Sequence, residues 1–151
     1  MTLNQNEILE YIPHRNENVL LDSCVIEEGE NKGSHVLELK EGDERQLFLK
    51  EKKKGEKVLL ATVAAEIIAL SSIVSYGGIA SDELAIFAAI TSFKKEGDLV
   101  AAFPYEGRVD KIREKAGFFQ FSGSIQSGSG KISCQVMAYY AKRNEILNGN
   151  E

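Results

Sequence analysis

The longest apolar segment of the chain covers residues 58–79 and predicts one buried helix. Apolar residues beginning with Val63 and Ile67 recur at helical spacing, which predicts a helix over residues 60–76 of about four to five turns. Because apolar residues occupy most of the other faces as well, we expect other structure to enclose this helix. Glu66 is the only charged residue in the segment. A carboxylate inside a single membrane span is costly, so we interpret the segment as a core helix and not as a membrane span.

Alternating apolar and polar positions predict strands before and after this helix. A single long helix with antiparallel strands on both sides of it in sequence is typical of an α+β domain whose sheet curls around a helix. The chain contains no repeat and no linker, so residues 1–151 are interpreted as one domain. The predicted elements are strands at 19–28, 33–40, 84–93, 98–105, 117–126 and 132–140, a short helix at 7–12, a polar loop at 41–46 and a hairpin turn at 127–130.

Composition excludes several classes of function. With 151 residues, of which 43% are apolar, the chain can bury a core without disulfides or metals. Its net charge of −5 restricts any electrostatic grip on nucleic acid to local patches, so we expect no nucleic-acid partner. The first residues lack a basic segment followed by an apolar one, which is not typical of a secretory signal. We therefore expect a cytoplasmic protein.

The two cysteines, Cys24 and Cys134, each lie inside an apolar run. Neither belongs to a CxxC motif or to a Cys/His spacing that could hold zinc, so we expect no disulfide framework and no metal site. No cofactor is expected either.

Residues 12–23, with the sequence IPHRNENVLLDS, carry the first similarity to a known family. The segment resembles the opening motif of the FabZ and FabA type β-hydroxyacyl-acyl-carrier-protein dehydratases, in which Pro-His-Arg precedes an apolar strand ending in Leu-Leu-Val-Asp-Arg. Pro13, His14, Arg15 and Asp22 fall in matching places. The resemblance implies the hot-dog fold, in which an antiparallel sheet wraps around a long central helix.

Residues 48–66 align without a gap with the second motif of this family, Phe-Phe-x-Gly-His-Phe-Pro-x-x-Pro-Val-Met-Pro-Gly-Val followed by a helix that bears a catalytic Glu. The resemblance therefore implies that Glu66 is a catalytic residue. The positions that it assigns to substrate binding are Phe48, Lys52, Gly55 and Val58.

Two departures from the family pattern indicate a degenerate dehydratase homologue. Lys52 stands where the family has its catalytic His, 14 residues before Glu66, and Leu60 and Ala61 replace the Pro-Gly that opens the helix. Half of the catalytic pair is therefore missing, and we expect the chain to be inactive alone. The altered loop is similar to that of dehydratase-like proteins found beside aryl-polyene and related pigment synthases.

Two interpretations of Glu66 remain open. If the apolar residues around it exclude water, its pKa rises and the carboxyl group suits proton transfer near neutrality. Alternatively, Glu66 lies at the one solvent-exposed edge of the helix or caps a buried hydrogen bond.

The other titratable candidates have structural interpretations. His14 and His35 are the only histidines, and neither occupies the catalytic place of the family. We expect His14 to bond the backbone around the Pro13 turn and His35 to lie on a strand face. Lys52 could act as a base only if burial or like charges lowered its pKa strongly, and its loop is predicted to be solvated.

The lysine-rich segment at residues 50–57, KEKKKGEK, also has two interpretations. It contains five lysines and two glutamates, which is typical of a solvated loop. The alternative is a docking patch for an acidic acyl carrier protein or for the phosphate of its phosphopantetheine.

Three hypotheses of function follow. The preferred one is a dehydratase-like subunit of fatty acid or polyene/polyketide-type biosynthesis that binds an acyl carrier protein or acyl-CoA thioester. It would form a homodimer through sheet edges, or a heterodimer in which a His-bearing homologue completes a site with Glu66. The second hypothesis is a hot-dog thioesterase in which Glu66 activates water. The third is an interaction module without an acyl ligand.

Overall fold

The computed structural model describes residues 1–27, 32–77 and 83–142. Within these ranges the strands are β1 Thr2–Asn4, β2 Ser23–Glu27, β3 Lys32–Leu37, β4 Leu49–Lys53, β5 Glu56–Leu59, β6 Glu83–Glu96, β7 Tyr105–Lys115, β8 Phe118–Ser127 and β9 Gly130–Lys142. The α-helices are α1 Gln5–Ile8 and α2 Ala61–Tyr76, and 3₁₀ turns cover Asn16–Asn18 and Glu44–Phe48.

Seven of these strands form one antiparallel sheet in the order β1-β2-β3-β7-β8-β9-β6. β4 and β5 form a separate two-stranded hairpin. One face of the large sheet is buried against α2, as the alternation of buried and half-buried residues along β8 shows. The large antiparallel sheet and its central helix agree with the predicted α+β architecture.

Helix α2 is 16 residues long, and 12 of them are buried. Apolar side chains on nearly all of its faces account for this burial, as the sequence predicted. Thr62 and Glu66 are its exposed residues. Gly77 ends the helix with a left-handed φ of 116°, which glycine adopts at little cost. The sequence pair Gly77-Gly78 predicts a helix end at this point, and Gly78 lies outside the described residues.

The N-terminal elements differ in extent from the prediction. The predicted helix at 7–12 is instead the single turn α1, which Asn4 caps by accepting a hydrogen bond from the Glu7 backbone N at 2.9 Å. The strand predicted from Val19 begins only at Ser23. Val19, Leu20 and Leu21, which precede it, are buried. This segment is held partly by the Asp22 N, which donates to the Val36 carbonyl of β3 at 2.8 Å, and partly by a side chain.

That side chain is Arg45, which is buried inside the segment predicted to be a polar loop. Its Nη2 lies 2.9 Å from Asp22 Oδ1 and 2.8 Å from Asp43 Oδ2, and its Nη1 donates to the Val19 carbonyl at 2.9 Å. Residues 44–48 therefore form a 3₁₀ turn around a buried cation, where a polar loop was predicted. The two carboxylates offset the cost of burying Arg45, and the network fixes the segment before β2.

The strand predicted at 98–105 is the main error in the sheet. In this segment only Val100 makes an isolated bridge, to Val58, and the strand β7 begins where the prediction ended. In β7 a glycine, Gly107, occupies an inward position between Tyr105 and Val109. Charged residues fill the outward positions, so the apolar alternation was too weak to reveal the strand.

The lysine-rich segment predicted as a loop is a β-hairpin, formed by β4 and β5. Gly55 turns the chain with a φ of 81°, and its backbone N donates to Glu51 Oε1 at 2.9 Å. Most side chains of the β4–β5 hairpin are exposed, on both of its faces. The segment therefore lacks the alternation of a half-buried strand.

Candidate functional site

A cavity of about 400 Å³ lies between α2, β6 and the segment that precedes β2. This volume falls in the range of small-molecule sites. Its wall is mostly apolar, with an imidazole, a carboxamide and a carboxylate as its polar side chains. The lining residues are His14, Asn18, Leu20, Glu66, Ala69, Leu70, Phe87 and Ile90.

Glu66 reaches the cavity from the second turn of α2. Ala69 and Leu70 follow it by three and four residues, so all three lie on one face of the helix and line the cavity together. In the single chain Glu66 is exposed, whereas the family-based hypothesis expected apolar neighbours to exclude water from it. The alternative, a carboxylate at the exposed edge of the helix, describes its position.

His14 enters the cavity from the turn between α1 and β2. The residue is half-buried, and its Nδ1 is a buried atom without a hydrogen-bond partner among the described residues. The expectation that His14 bonds the local backbone is therefore wrong. Arg15 makes those bonds instead, because its Nη1 donates to the carbonyls of Ile12 at 2.8 Å and of His14 at 2.6 Å.

Burial lowers the pKa of His14 below its ordinary value of 6.5, the charge of Glu66 opposes this shift, and Arg15 adds to it. His14 is consequently neutral at neutral pH and able to accept a proton. The nearby carboxylate of Glu66 would stabilise the imidazolium that forms. The cavity thus holds a proton acceptor, His14, and a carboxylate, Glu66, whose charge raises the pKa of that acceptor.

Strand β6 forms one wall of the cavity and is also an edge of the sheet, hydrogen-bonded to β9. Large apolar side chains are exposed along it: Phe87 is 37% exposed, Ile90 47% and Phe93 47%. Unpaired strand edges with exposed apolar groups are sites where another chain can add. The cavity is therefore open on the side where the sheet could continue.

The substrate-binding positions implied by the resemblance do not line this cavity. Phe48 is partly buried against the core and its carbonyl accepts a hydrogen bond from the Leu60 N at 3.2 Å. Val58 is buried beside its bridge partner Val100, and Gly55 forms the exposed turn of the β4–β5 hairpin. The structure brings Glu66 together with His14 and not with these three residues.

Lys52 also lies outside the cavity, on β4. Its ammonium group forms an ion pair with Asp98, which also binds Lys95 at 3.2 Å. The hydrogen bond to Asp98 raises the pKa of Lys52, so the residue is protonated at neutral pH and is unsuited to act as a base.

His35 lies on the strand β3, as the sequence predicted. Its side chain is on the inward face and is 1% exposed. Its Nδ1 is 2.8 Å from the Oγ of Ser71 on α2, and its Nε2 has no hydrogen-bond partner in the described parts of the chain. Burial lowers its pKa to about 4. His35 is a neutral core residue outside the cavity.

The two cysteines lie in the hydrophobic core. Cys24 and Cys134 are free and buried, and burial raises the pKa of both thiols, that of Cys24 to about 12. Within the described ranges, no cluster of His, Cys, Asp and Glu could hold a metal ion. No helix in those ranges has the length and apolarity needed to cross a membrane.

Three solved structures are similar over most of their length. The dehydratase heterocomplex ApeI:P from Xenorhabdus doucetiae superposes with a TM-score of 0.76 and 16% identity, covering 93% of this chain and 95% of that one. A sigma28-regulated virulence protein from Campylobacter jejuni superposes with a TM-score of 0.61 and 9% identity, covering 90% of this chain and 89% of that one. A mutant thioesterase from Pseudomonas aeruginosa superposes with a TM-score of 0.59 and 10% identity, covering 94% of this chain and 96% of that one.

The chain has the hot-dog fold. No model of a protein family matches it, and no curated protein matches it in sequence. At identities of 9 to 16%, the similarity establishes the fold and leaves the reaction to be argued from the site.

Of the eight residues that line the cavity, sequence reasoning assigned only Glu66 to a site; the other seven include His14, Asn18, Phe87 and Ile90. His14 stood inside the Pro-His-Arg motif, whose similarity to the dehydratases could have marked it as part of a site. Asn18, Phe87 and Ile90 carry no motif, and only the folded chain brings them to Glu66.

Proposed function

We propose that this protein is a dehydratase-like hot-dog subunit that binds β-hydroxyacyl thioesters and processes them together with a second chain of the same fold. The observation that carries the proposal is the cavity in which His14 and Glu66 meet beside apolar residues and beside β6, whose outer edge has no pairing strand among the described residues. The apolar wall suits an acyl chain, and the two titratable groups suit proton transfer.

The proposed reaction is the elimination of water. The imidazole of His14 takes the α proton, and the electrons of that C–H bond form the new C=C bond. The C–O bond at the β carbon breaks as the hydroxyl takes a proton from the carboxyl group of Glu66 and leaves as water. The imidazolium of His14 then returns a proton to the carboxylate of Glu66, which restores both groups.

A second chain would complete the site from the β6 side. Pairing along β6 would cover Phe87, Ile90 and Phe93 and would exclude water from the cavity. The similarity to a structure described as a dehydratase heterocomplex supports a partner that is a different hot-dog protein. A homodimer through the same edge is the alternative assembly.

The test is an assay of β-hydroxyoctanoyl-pantetheine dehydration with the chain alone and with a His-bearing hot-dog dehydratase as its partner. We expect turnover to require the pair, and His14→Gln and Glu66→Gln each to lower kcat by about 10²-fold or more. Glu41→Gln changes an exposed glutamate outside the cavity and should leave kcat unchanged. If the double variant of this chain, His14→Gln with Glu66→Gln, keeps full activity when paired with the partner, neither side chain takes part in the reaction and the proposed chemistry is refuted.

Hydrolysis of an acyl thioester is the second candidate, and the exposure of Glu66 favours it because water can reach that carboxylate in the single chain. Glu66 would take a proton from water as it attacks the thioester carbonyl. The two reactions give different products, so one incubation separates them. Dehydration yields an unsaturated thioester without free thiol, whereas hydrolysis releases the pantetheine thiol.

For the carrier, we propose that an acyl carrier protein docks on the β4–β5 hairpin. The side chains of Lys50, Lys53 and Lys54 are exposed and make no ion pair within the described residues, so they are available to acidic groups. Lys53→Glu with Lys54→Glu should weaken turnover of the carrier-protein thioester but not of the pantetheine thioester. Lys115→Glu, on the β7–β8 hairpin, is the matched control.

A further inference from the structure

Asn18 is the third polar side chain of the cavity, and neither proton-transfer step uses it. It ends the 3₁₀ turn Asn16–Asn18, which is closed by hydrogen bonds from the Asn18 N to the Arg15 carbonyl at 3.2 Å and from the Val19 N to the Asn16 carbonyl at 3.1 Å. The turn therefore fixes the position of Asn18 relative to His14. Its carboxamide makes no hydrogen bond within the described parts of the chain, although two N–H groups are available.

The chemistry of the site requires such a donor. Removing the α proton of a thioester places negative charge on the carbonyl oxygen, and so does attack by water on the carbonyl carbon. A positioned N–H donor is a principal means of stabilising this charge. Among the polar side chains of the cavity, His14 and Glu66 are both engaged in proton transfer, which leaves the carboxamide of Asn18 as the side-chain donor.

We propose that Asn18 is a catalytic residue, whose carboxamide N–H donates a hydrogen bond to the thioester carbonyl oxygen. The inference rests on the proposed function, in that the cavity must bind an acyl thioester, but it holds for dehydration and for hydrolysis alike. Arg15 cannot take this role as placed, because it does not line the cavity and its Nη1 is bound to the carbonyls of Ile12 and His14.

A stable ligand tests the contact without turnover. Octanoyl-pantetheine with the sulfur replaced by NH keeps the carbonyl oxygen, resists hydrolysis and cannot be dehydrated. With ¹³C at that carbonyl, the NMR signal should move downfield on binding, because a donated hydrogen bond polarises the C=O bond. In Asn18→Leu and Asn18→Asp the downfield shift should be lost, since neither side chain donates an N–H.

Asn16→Asp provides the matched control, because it introduces the same charge in the same 3₁₀ turn but outside the cavity lining. This variant should keep the downfield shift of the wild type. In the turnover assay with the partner chain, Asn18→Leu should lower kcat by about 10²-fold or more with little change in KM, as expected for a donor that acts in the transition state. Asn16→Asp should leave both constants unchanged, and thermal melting should show all variants folded.

The outcomes separate the two levels of inference. If the labelled analogue fails to bind the wild-type protein, alone or with its partner, the proposed function fails. If the analogue binds and its carbonyl signal is the same in the wild type and in Asn18→Leu, the assignment of Asn18 is overturned while the proposed function stands. A loss of the shift in Asn16→Asp equal to that in Asn18→Asp would also overturn it, because the effect would then come from charge.

Discussion

His35 and Gly107 lie directly opposite each other on β3 and β7, and the imidazole of His35 occupies the space that a Cβ at position 107 would need. The carbonyl of Ser124 borders the same space. Because residue 107 has no side chain, the His35 ring fits between the sheet and α2, where its Nδ1 contacts the Oγ of Ser71 at 2.8 Å. A glycine on one strand thus makes room for a buried histidine on the next.

Gly107→Ala should therefore destabilise the protein strongly. The new methyl group would overlap a ring held by Ser71 and a backbone carbonyl of the neighbouring strand, so we expect a loss of about 3 kcal/mol in the free energy of unfolding. Gly55→Ala is the control, because position 55 has open space around it and only its left-handed φ opposes a side chain. Urea unfolding of both variants measures the difference, and equal losses would contradict the account of Gly107.

The burial of His35 predicts acid sensitivity. Its pKa falls from 6.5 in an unfolded chain to about 4 in the folded protein, so the unfolded state binds the proton more readily. The stability that the buried, neutral His35 contributes to the folded protein is fully present above pH 6.5 and is lost as the pH falls from there through about 4. The loss should reach about 3 kcal/mol at pH 4.

Chemical unfolding of the wild type and of His35→Gln between pH 7 and 4 checks this prediction. The variant should lose less stability across the range, because glutamine does not titrate. His14 also has a lowered pKa but is present in both proteins, so the difference between them isolates His35. Parallel curves for the two proteins would show that His35 is not the group responsible.

His14 offers a direct test of the cavity electrostatics, since the chain has two histidines and their ring proton signals can be followed by NMR. The signal of His14 should titrate below pH 6.5 because of burial. Glu66→Gln should lower the pKa of His14 further, because the negative charge of Glu66 raises it in the wild type. Glu41→Gln should have no effect. An unchanged titration in Glu66→Gln would mean that the two side chains do not interact.

The turn of the β7–β8 hairpin contains a residue whose substitution should stabilise the protein. Ala116 and Gly117 form its two-residue turn with φ values of 50° and 84°, and a left-handed φ is costly for alanine. Ala116→Asn should raise the free energy of unfolding by about 0.5–1 kcal/mol, because asparagine tolerates this conformation. Ala102→Asn changes an exposed alanine in another turn, outside the left-handed region, and should not stabilise the protein.

The predictable parts of the fold are those where burial repeats with a regular period. Apolar groups on all faces identified α2, and inward apolar residues identified β8 and β9. The strand β7 was not predicted because one of its inward positions is Gly107, which has no apolar side chain; the ring of His35 on β3 fills the space beside it. The buried Arg45 was not predicted because its carboxylate partners, Asp22 and Asp43, meet it only in the folded chain.

The candidate site was predictable only in part, for a related reason. Glu66 was identified because it is the single charge in an apolar helix and matches a family position. His14 was quoted in a motif but assigned to the backbone, since nothing in the order of residues shows that the turn after Pro13 folds against the second turn of α2. The family alignment pointed to Lys52 instead, in a segment that the structure places in a separate hairpin.

That placement yields the last prediction, which concerns Lys52→His. If the missing catalytic histidine belonged at position 52, this substitution would restore dehydration by the chain alone. Residue 52 lies on the β4–β5 hairpin, is bound to Asp98 and does not line the cavity that holds Glu66, so we expect no measurable gain in kcat. Turnover of β-hydroxyoctanoyl-pantetheine by the purified variant is the measurement, with Lys53→His as a control one position along the same strand. A tenfold or larger gain in Lys52→His alone would show that position 52 reaches a Glu66, in the same chain or in a second copy, and the substrate position would then have to be reassigned to this strand.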